Sequence, residues 1–223
     1  FGVTVEEAAV EQATGAEGRF EVTAAGARHA ARYLIAASGA AERYPTLKNL
    51  GRHFGRSYFT CVICDGYRTT GRKLLVSARS LAGVRLALAA RRLFTPDVAF
   101  LAEGFAFPEN HRFLLEEQGI ALFQGSPVEL LGEERLEGVR LADGTVIPCE
   151  VVLGGHGFRL NDGYLSGFPL ERDAKGFQIR ADASGESGVR GLFVVGALRI
   201  GHSQAVISAG QGAVAALEIV HRL

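Results

Sequence analysis

Strand and helix signals alternate along the middle of this chain, and that alternation limits the folds open to it. Lys73-Leu74-Leu75-Val76 reads as a buried strand, Ser77 to Gly83 as a turn and Val84 to Phe94 as a helix. Val98-Ala99-Phe100-Leu101 is the next strand, Asn110 to Gln118 the next helix, and Ile120 to Phe123 the strand after it. Strands joined through helices lie side by side in a parallel sheet, so the chain reads as an α/β protein. Its 29 glycines suit the tight turns such a fold needs. At 223 residues, 48% of them hydrophobic, the chain can bury the core of one large domain or two small ones.

The composition excludes several function classes. Basic and acidic residues balance at 24 each, so no electrostatic footprint points to nucleic acid or an anionic membrane surface. No apolar run approaches the roughly 18 to 20 residues that span a bilayer. Three cysteines are too few to staple a secreted domain, and no segment combines a basic start, an apolar run and a cleavage site, so the cytoplasm is the expected compartment. Phe1 is followed at once by strand-like alternation from Gly2 to Val5, which does not read as a natural translation start; further chain is expected upstream.

The chemistry concentrates in Phe59-Thr60-Cys61-Val62-Ile63-Cys64-Asp65-Gly66-Tyr67. Two cysteines separated by two residues suggest a redox couple or half of a zinc site. Asp65 sets a carboxyl group beside a thiol, where it can exchange protons with a thiolate. Zinc would need two more ligands, and the chain offers only an isolated Cys149 and six scattered histidines. No metal is therefore expected, and a redox pair is favoured over a purely structural disulfide. Cys149, beside the strand Val151-Val152-Leu153, reads as a small structural residue.

The turns at the strand ends carry the binding signals. Arg32 to Ala37 is a short apolar run that closes on Ser38-Gly39-Ala40, where Gly39 lets backbone approach a ligand. In a dinucleotide-binding unit, the turn after Val76 would carry G-x-G-x-x-G/A. Here Ala78 and Ser80 replace its first two glycines, and their added side chains are expected to narrow the approach to a pyrophosphate. The strand ending at Leu101 runs into Ala102-Glu103-Gly104 instead of the arginines that hold a 2′-phosphate. Glu103 reads as a solvated loop carboxylate, with a ribose hydroxyl of NAD as the minority reading. Leu136 to Leu141, Asp143-Gly144 and Thr145 to Ile147 form a hairpin with a D-G turn. His156, in Gly154-Gly155-His156-Gly157, reads as a hydrogen-bonded turn residue, and Asn161-Asp162-Gly163 as a crossing between domains. Leu192 to Gly196 is a last buried strand. The helix Gln204 to Leu223 follows it and offers orphan N–H groups to an electron-rich ligand edge.

The order of Ala37-Ser38-Gly39-Ala40, Cys61-Val62-Ile63-Cys64-Asp65-Gly66, the βα turn after Val76, Gly155-His156 and Gly191-Leu192-Phe193-Val194-Val195-Gly196 with Gln204-Ala205 resembles the low-molecular-weight thioredoxin reductases, in the FAD-dependent pyridine nucleotide-disulfide oxidoreductase superfamily. The resemblance covers essentially the whole chain. It implies a discontinuous FAD-binding domain over residues 1–46 and 164–223, with an inserted Rossmann-like nicotinamide-type domain over 47–163 that carries the dithiol. In that family the flavin passes electrons to the disulfide, and a domain rotation presents the dithiol to a protein partner. Carried over by position, Cys64 is the sulfur nearest the flavin, Cys61 attacks the substrate disulfide and Asp65 donates the proton. Ser38, Gly39, Gly196, Ala197, Ser203, Gln204 and Ala205 fall at the FAD site, and Ala78, Ser80 and Glu103 at a degraded nicotinamide-nucleotide site.

This sequence departs from the pattern in three places. It holds no N-terminal G-x-G-x-x-G for FAD, Ala197 stands where an Asp usually follows the last strand, and both NADPH signatures are degraded. NADPH is therefore not the expected donor. The resemblance implies a disulfide reductase of the thioredoxin-reductase type, a homodimer acting on a thioredoxin-like protein or a small disulfide and fed by a donor such as ferredoxin. The alternatives are a dithiol oxidase that closes a disulfide in a small substrate, and a degenerate fold retained for binding.

Overall fold

A computed structural model describes residues 2–223 of the chain. The chain divides into two compact units, one running up to Ala41 and resuming at Phe158–Leu223, the other spanning Glu42–Gly157. The sequence reading set these changes at 46/47 and 163/164. Glu42 to Thr46 belong with the second unit because Thr60 Oγ1 donates to Glu42 Oε2 at 2.7 Å, Arg43 N–H donates to Gly157 O at 2.9 Å, and Tyr44 packs on Phe54.

In the first unit, residues 2–9 form no strand, so the alternation from Gly2 to Val5 does not translate into one. Val3 and Val5 are exposed, and without burial alternation alone does not hold a strand. Strands β1 (Val10–Ala16), β2 (Arg19–Ala24) and β3 (Ala27–Ala31) form an antiparallel sheet; β4 (Leu34–Ala36) and β5 (Ala40–Glu42) follow.

In the second unit the elements are α1 (Leu50–His53), β6 (Tyr58–Phe59), α2 (Val62–Asp65), β7 (Leu74–Ala78), α3 (Ala82–Leu93), β8 (Val98–Ala102), α4 (Glu109–Glu117) and β9 (Ala121–Gln124). After them come β10 (Pro127–Leu131), β11 (Gly138–Leu141), β12 (Val146–Pro148) and β13 (Val151–Gly155). Strands β6, β13, β7, β8 and β9 lie in that order in one parallel sheet, as the strand and helix alternation requires. The period of two sorts its side chains onto two faces. Leu74, Val76, Val98, Phe100, Val151 and Leu153 pack with residues of α3 and α4. Leu75, Leu101 and Val152 pack instead with residues of the antiparallel sheet β10-β11-β12. That sheet contains the D-G hairpin, with Gly144 at φ 91° and Asp143 Oδ1 accepting the Thr145 N–H at 2.9 Å.

The last part returns to the first unit as β14 (Phe158–Leu160), β15 (Leu192–Val194) and α5 (Ala205–Arg222). β15 runs parallel to β4, and Phe20, Ala36, Leu165, Ile179, Leu192, Val194 and Leu198 form this unit's core. Ile35 is exposed although its neighbours read as a buried strand, because it points to the face of β4 opposite Leu34 and Ala36, which pack in this core. Among the described residues no helix is long and apolar enough to cross a membrane.

Candidate active site

Cys61 and Cys64 are joined as a disulfide, with Cα atoms 5.3 Å apart. The local fold explains the pairing. Cys61 is the extended residue that caps α2, and Cys64 follows one turn later, so a C-x-x-C segment over a first helical turn brings both side chains to one place. Cys61 Sγ also accepts the Cys64 backbone N–H at 3.1 Å. A backbone N–H directed at a sulfur is the kind of contact that favours an anionic sulfur. Cys64 is the more exposed of the two.

Asp65, at the end of α2, sets its carboxylate 3.6 Å from Arg68 Nη1, and the Arg68 guanidinium lies 4.5 Å over the Phe59 ring. Thr60, just before Cys61, donates its hydroxyl to Glu42 Oε2 at 2.7 Å, and Tyr44 Oη donates to the same oxygen at 2.9 Å. Cys149 lies in the core beneath β10-β11-β12 at 3% exposure, and burial pushes its thiol up to about 12. It is a protonated core residue at neutral pH.

The second cluster lies where β7, β8 and β13 end. Glu103 follows β8 and turns inward, leaving its side chain 3% exposed. Its Oε1 accepts from Ser77 Oγ at 2.5 Å and from His156 Nε2 at 2.7 Å, while Oε2 accepts from Arg79 Nε at 3.4 Å. His156 Nδ1 lies 3.3 Å from Tyr58 Oη. Burial pushes the Glu103 carboxyl up, but hydrogen bonds from His156 and Ser77, the His156 charge and Arg79 together hold it below the usual carboxylate value. As a carboxylate Glu103 only accepts, so His156 Nε2 carries the proton. Burial and the Glu103 charge raise the Tyr58 pKa, and it stays a neutral phenol. Gly154 makes this line possible, since a Cβ there would strike Tyr58 Oη and His156 Nδ1.

This arrangement revises two readings of the sequence. Glu103 is no solvated loop carboxylate, and the atoms that would meet a ribose are occupied by protein donors. Nor does Ala78 stand in a ligand's path: it is fully buried, and its Cβ fills the space beside Gly83 and Gly155, where an added Cβ would meet it. Gly83 holds the third glycine position of the motif and serves its packing role, letting α3 sit close on the sheet. Ser80 does line the cavity above, which measures about 480 Å³ and is also bordered by Arg43, Tyr44, Arg79, Leu86 and the 155–157 turn.

The residues assigned to FAD all fall in the first unit. Ser38 Oγ donates to Asn161 O at 2.6 Å, and Asn161 Nδ2 donates to Ser38 O at 3.1 Å. Gly39 has φ 67°, with open space where a Cβ would stand. Gly196 has φ 68° and donates its N–H to Gln211 Oε1 at 2.7 Å; Ala197 O accepts from Gln178 Nε2 at 3.2 Å. Ser203 and Gln204 lead into α5, which starts at Ala205 with no side-chain cap. Sequence reasoning missed Tyr58, Ser77, Glu42 and Asn161. Each acts through a partner distant in sequence, and no local spacing announces such a bond.

Residues 2–214 match the family model described as pyridine nucleotide-disulphide oxidoreductase. A curated thioredoxin reductase of Borreliella burgdorferi is 25% identical over 203 residues, which are 83% of this chain and 59% of that relative. This chain thus spans less than two thirds of the relative's length. Among solved structures, HlmI superposes with a TM-score of 0.86 at 27% identity, covering 99% of this chain and 70% of that one. A putative thioredoxin reductase, TrxB, from Bacillus anthracis shares the fold at a TM-score of 0.83 and 21% identity, over 96% of this chain and 73% of that one.

Proposed function

The chain belongs to the pyridine nucleotide-disulphide oxidoreductase family, and from that premise we propose that it is a flavin-dependent thiol-disulfide oxidoreductase whose donor is not NADPH. The observation that carries the reading is the Cys61–Cys64 disulfide, closed over the first turn of α2 with a backbone N–H directed at Cys61 Sγ.

The chemistry is thiol-disulfide exchange. With the pair reduced, the Cys61 thiolate attacks one sulfur of a substrate disulfide. The substrate S–S bond breaks, and Asp65 relays the Cys64 thiol proton to the leaving sulfur. The Cys64 thiolate so formed then attacks Cys61 Sγ, releases the second substrate sulfur as a thiolate and restores the Cys61–Cys64 bond. Two electrons pass from the dithiol to the substrate. Thioredoxin-like proteins and small disulfides both fit this reaction, and the thioredoxin reductase among the relatives favours the former. A homodimer and a cytoplasmic setting accompany the reading by analogy alone.

FAD fits the residues proposed for it. Gly39 and Gly196 adopt left-handed backbone, Gly39 has open space beside it, and α5 presents exposed Ala205, Ala209 and Gly210 below an uncapped start. Small side chains and orphan N–H groups suit a flat, electron-rich ring. Bound there, FAD would supply or accept the two electrons that reset the cysteine pair.

A second reading draws on the occupied Glu103 carboxylate. An enzyme with no use for NADPH can run the exchange in reverse, as a dithiol oxidase that closes a disulfide in a small substrate and delivers electrons to oxygen. Peroxide formed from a small dithiol with no added donor identifies the oxidase; turnover of a disulfide fed by reduced ferredoxin identifies the reductase. Both readings fall if the protein takes up no FAD and chemical reduction exposes no additional thiols.

A further inference from the structure

We propose that the cavity at the ends of β7 and β13 seats a small organic anion, a single charged group on an aromatic or apolar body, in place of a dinucleotide. The inference rests on the reading above that NADPH is not the donor.

The lining is cationic without an opposing acid. Arg43 makes no side-chain hydrogen bond or ion pair among the described residues, and Arg79 is engaged only through Nε, leaving both terminal amino groups available. Guanidinium groups with free N–H pairs bind carboxylates and phosphates in a fork. The two carboxylates that could cancel them are committed elsewhere, Glu103 to Ser77 and His156, and Glu42 to Thr60 and Tyr44. Neither lines the cavity.

The remaining walls suit a flat apolar body. The Tyr44 ring is fixed from two sides, by its bond to Glu42 and by an edge contact with Phe54 at 5.2 Å and 88°. Ala82 and Leu86 of α3 also line the space. Its volume of about 480 Å³ falls within the range of small-ligand sites. A dinucleotide would need a second anchor at Glu103, which the protein itself occupies. A shorter anion needs only the two arginines and the ring.

The test uses the chain carrying whatever FAD it binds, with phenyl phosphate as the probe and calorimetry as the readout. Phenyl phosphate is expected to bind about tenfold or more tightly than inorganic phosphate, and Arg43→Ala or Arg79→Ala to weaken it by about the same factor. Both side chains are solvent-facing, so the variants keep the fold, which thermal unfolding verifies. The proposal is overturned if phenyl phosphate fails to bind at millimolar concentration, if inorganic phosphate binds as well, or if the arginine variants bind unchanged. The donor reading survives those three results. Tighter binding of NADPH than of phenyl phosphate would sink both.

Discussion

Glu103 Oε1 lies 2.7 Å from His156 Nε2, and the two side chains are 3% and 2% exposed. Glu103 follows β8 and His156 follows β13, while Ser77 and Tyr58 add partners from β7 and β6. The C-terminal ends of β7, β8 and β13 are thus tied by one buried polar line, which Tyr58 joins from the start of β6. In open α/β sheets this end is where ligands bind, and here part of it is filled from within.

Glu103→Gln keeps the side chain's size and removes its charge. The folded carboxyl titrates below its ordinary value, so the stability it contributes is complete above that ordinary value and is lost as pH falls through the folded pKa. The variant should lose about 1.5–3 kcal/mol at neutral pH in urea unfolding, and the deficit should shrink in acid, where the wild-type glutamate is itself protonated. An equal deficit at neutral and strongly acid pH would mean that the charge is not what the network uses.

Gly154→Ala places a methyl against Tyr58 Oη and 3.0 Å from His156 Nδ1. Overpacking of this kind costs about 1–3 kcal/mol. Tyr58→Phe removes the oxygen that the methyl strikes, so the cost of Gly154→Ala should fall in that background, a coupling that a double-mutant cycle reads directly. Strict additivity would place the clash elsewhere.

The parallel sheet was legible because Leu74 to Val76, Val98 to Leu101 and Val151 to Leu153 each carry a continuous apolar run bounded by turn residues, and a buried strand needs no more. The dithiol was legible because its spacing is local. Glu103 and Ala78 were misread for the opposite reason. Whether a carboxylate faces water or a histidine 53 positions away is settled by the sheet, and whether a methyl blocks a ligand or fills a gap depends on Gly83 and Gly155. The sheet β1-β2-β3 was only partly legible: β2 alternates clearly, but β3 is exposed throughout and shows no apolar period.

Cys61→Ser and Cys64→Ser should each abolish turnover of any disulfide substrate, while Asp65→Asn should slow turnover and still let the disulfide form. Positioned proton transfer is commonly worth roughly 10²- to 10⁴-fold in rate, so a change smaller than about threefold would remove Asp65 from the mechanism. A cysteine variant that retained most activity would end the redox assignment altogether. Thiol titration before and after reduction checks the pair independently, because Cys149 is buried and protonated and should stay silent in the folded protein.

The remaining prediction is that NADPH does not reduce this protein at useful rates, and the structure changes the grounds for it. Steric blockage by Ala78 drops out, since its methyl is buried; Ala78→Gly should open a small void without creating a nucleotide site. What remains is charge and occupancy. A 2′-phosphate finds no arginines at Ala102-Glu103-Gly104, and a ribose finds the Glu103 oxygens taken by Ser77, His156 and Arg79. Losing two charge-assisted hydrogen bonds costs roughly 3–6 kcal/mol, about two to four orders of magnitude in affinity. Arg79 can recover part of this through its free amino groups, so any residual binding should fall further in Arg79→Ala. The measurement is anaerobic mixing of the FAD-loaded protein with millimolar NADPH, and separately NADH, while following the flavin absorbance. Rapid bleaching by NADPH would refute the prediction; bleaching by NADH alone would show that Glu103 turns outward to a ribose when the nucleotide arrives, and His156→Ala should then strengthen NADH binding by freeing that carboxylate.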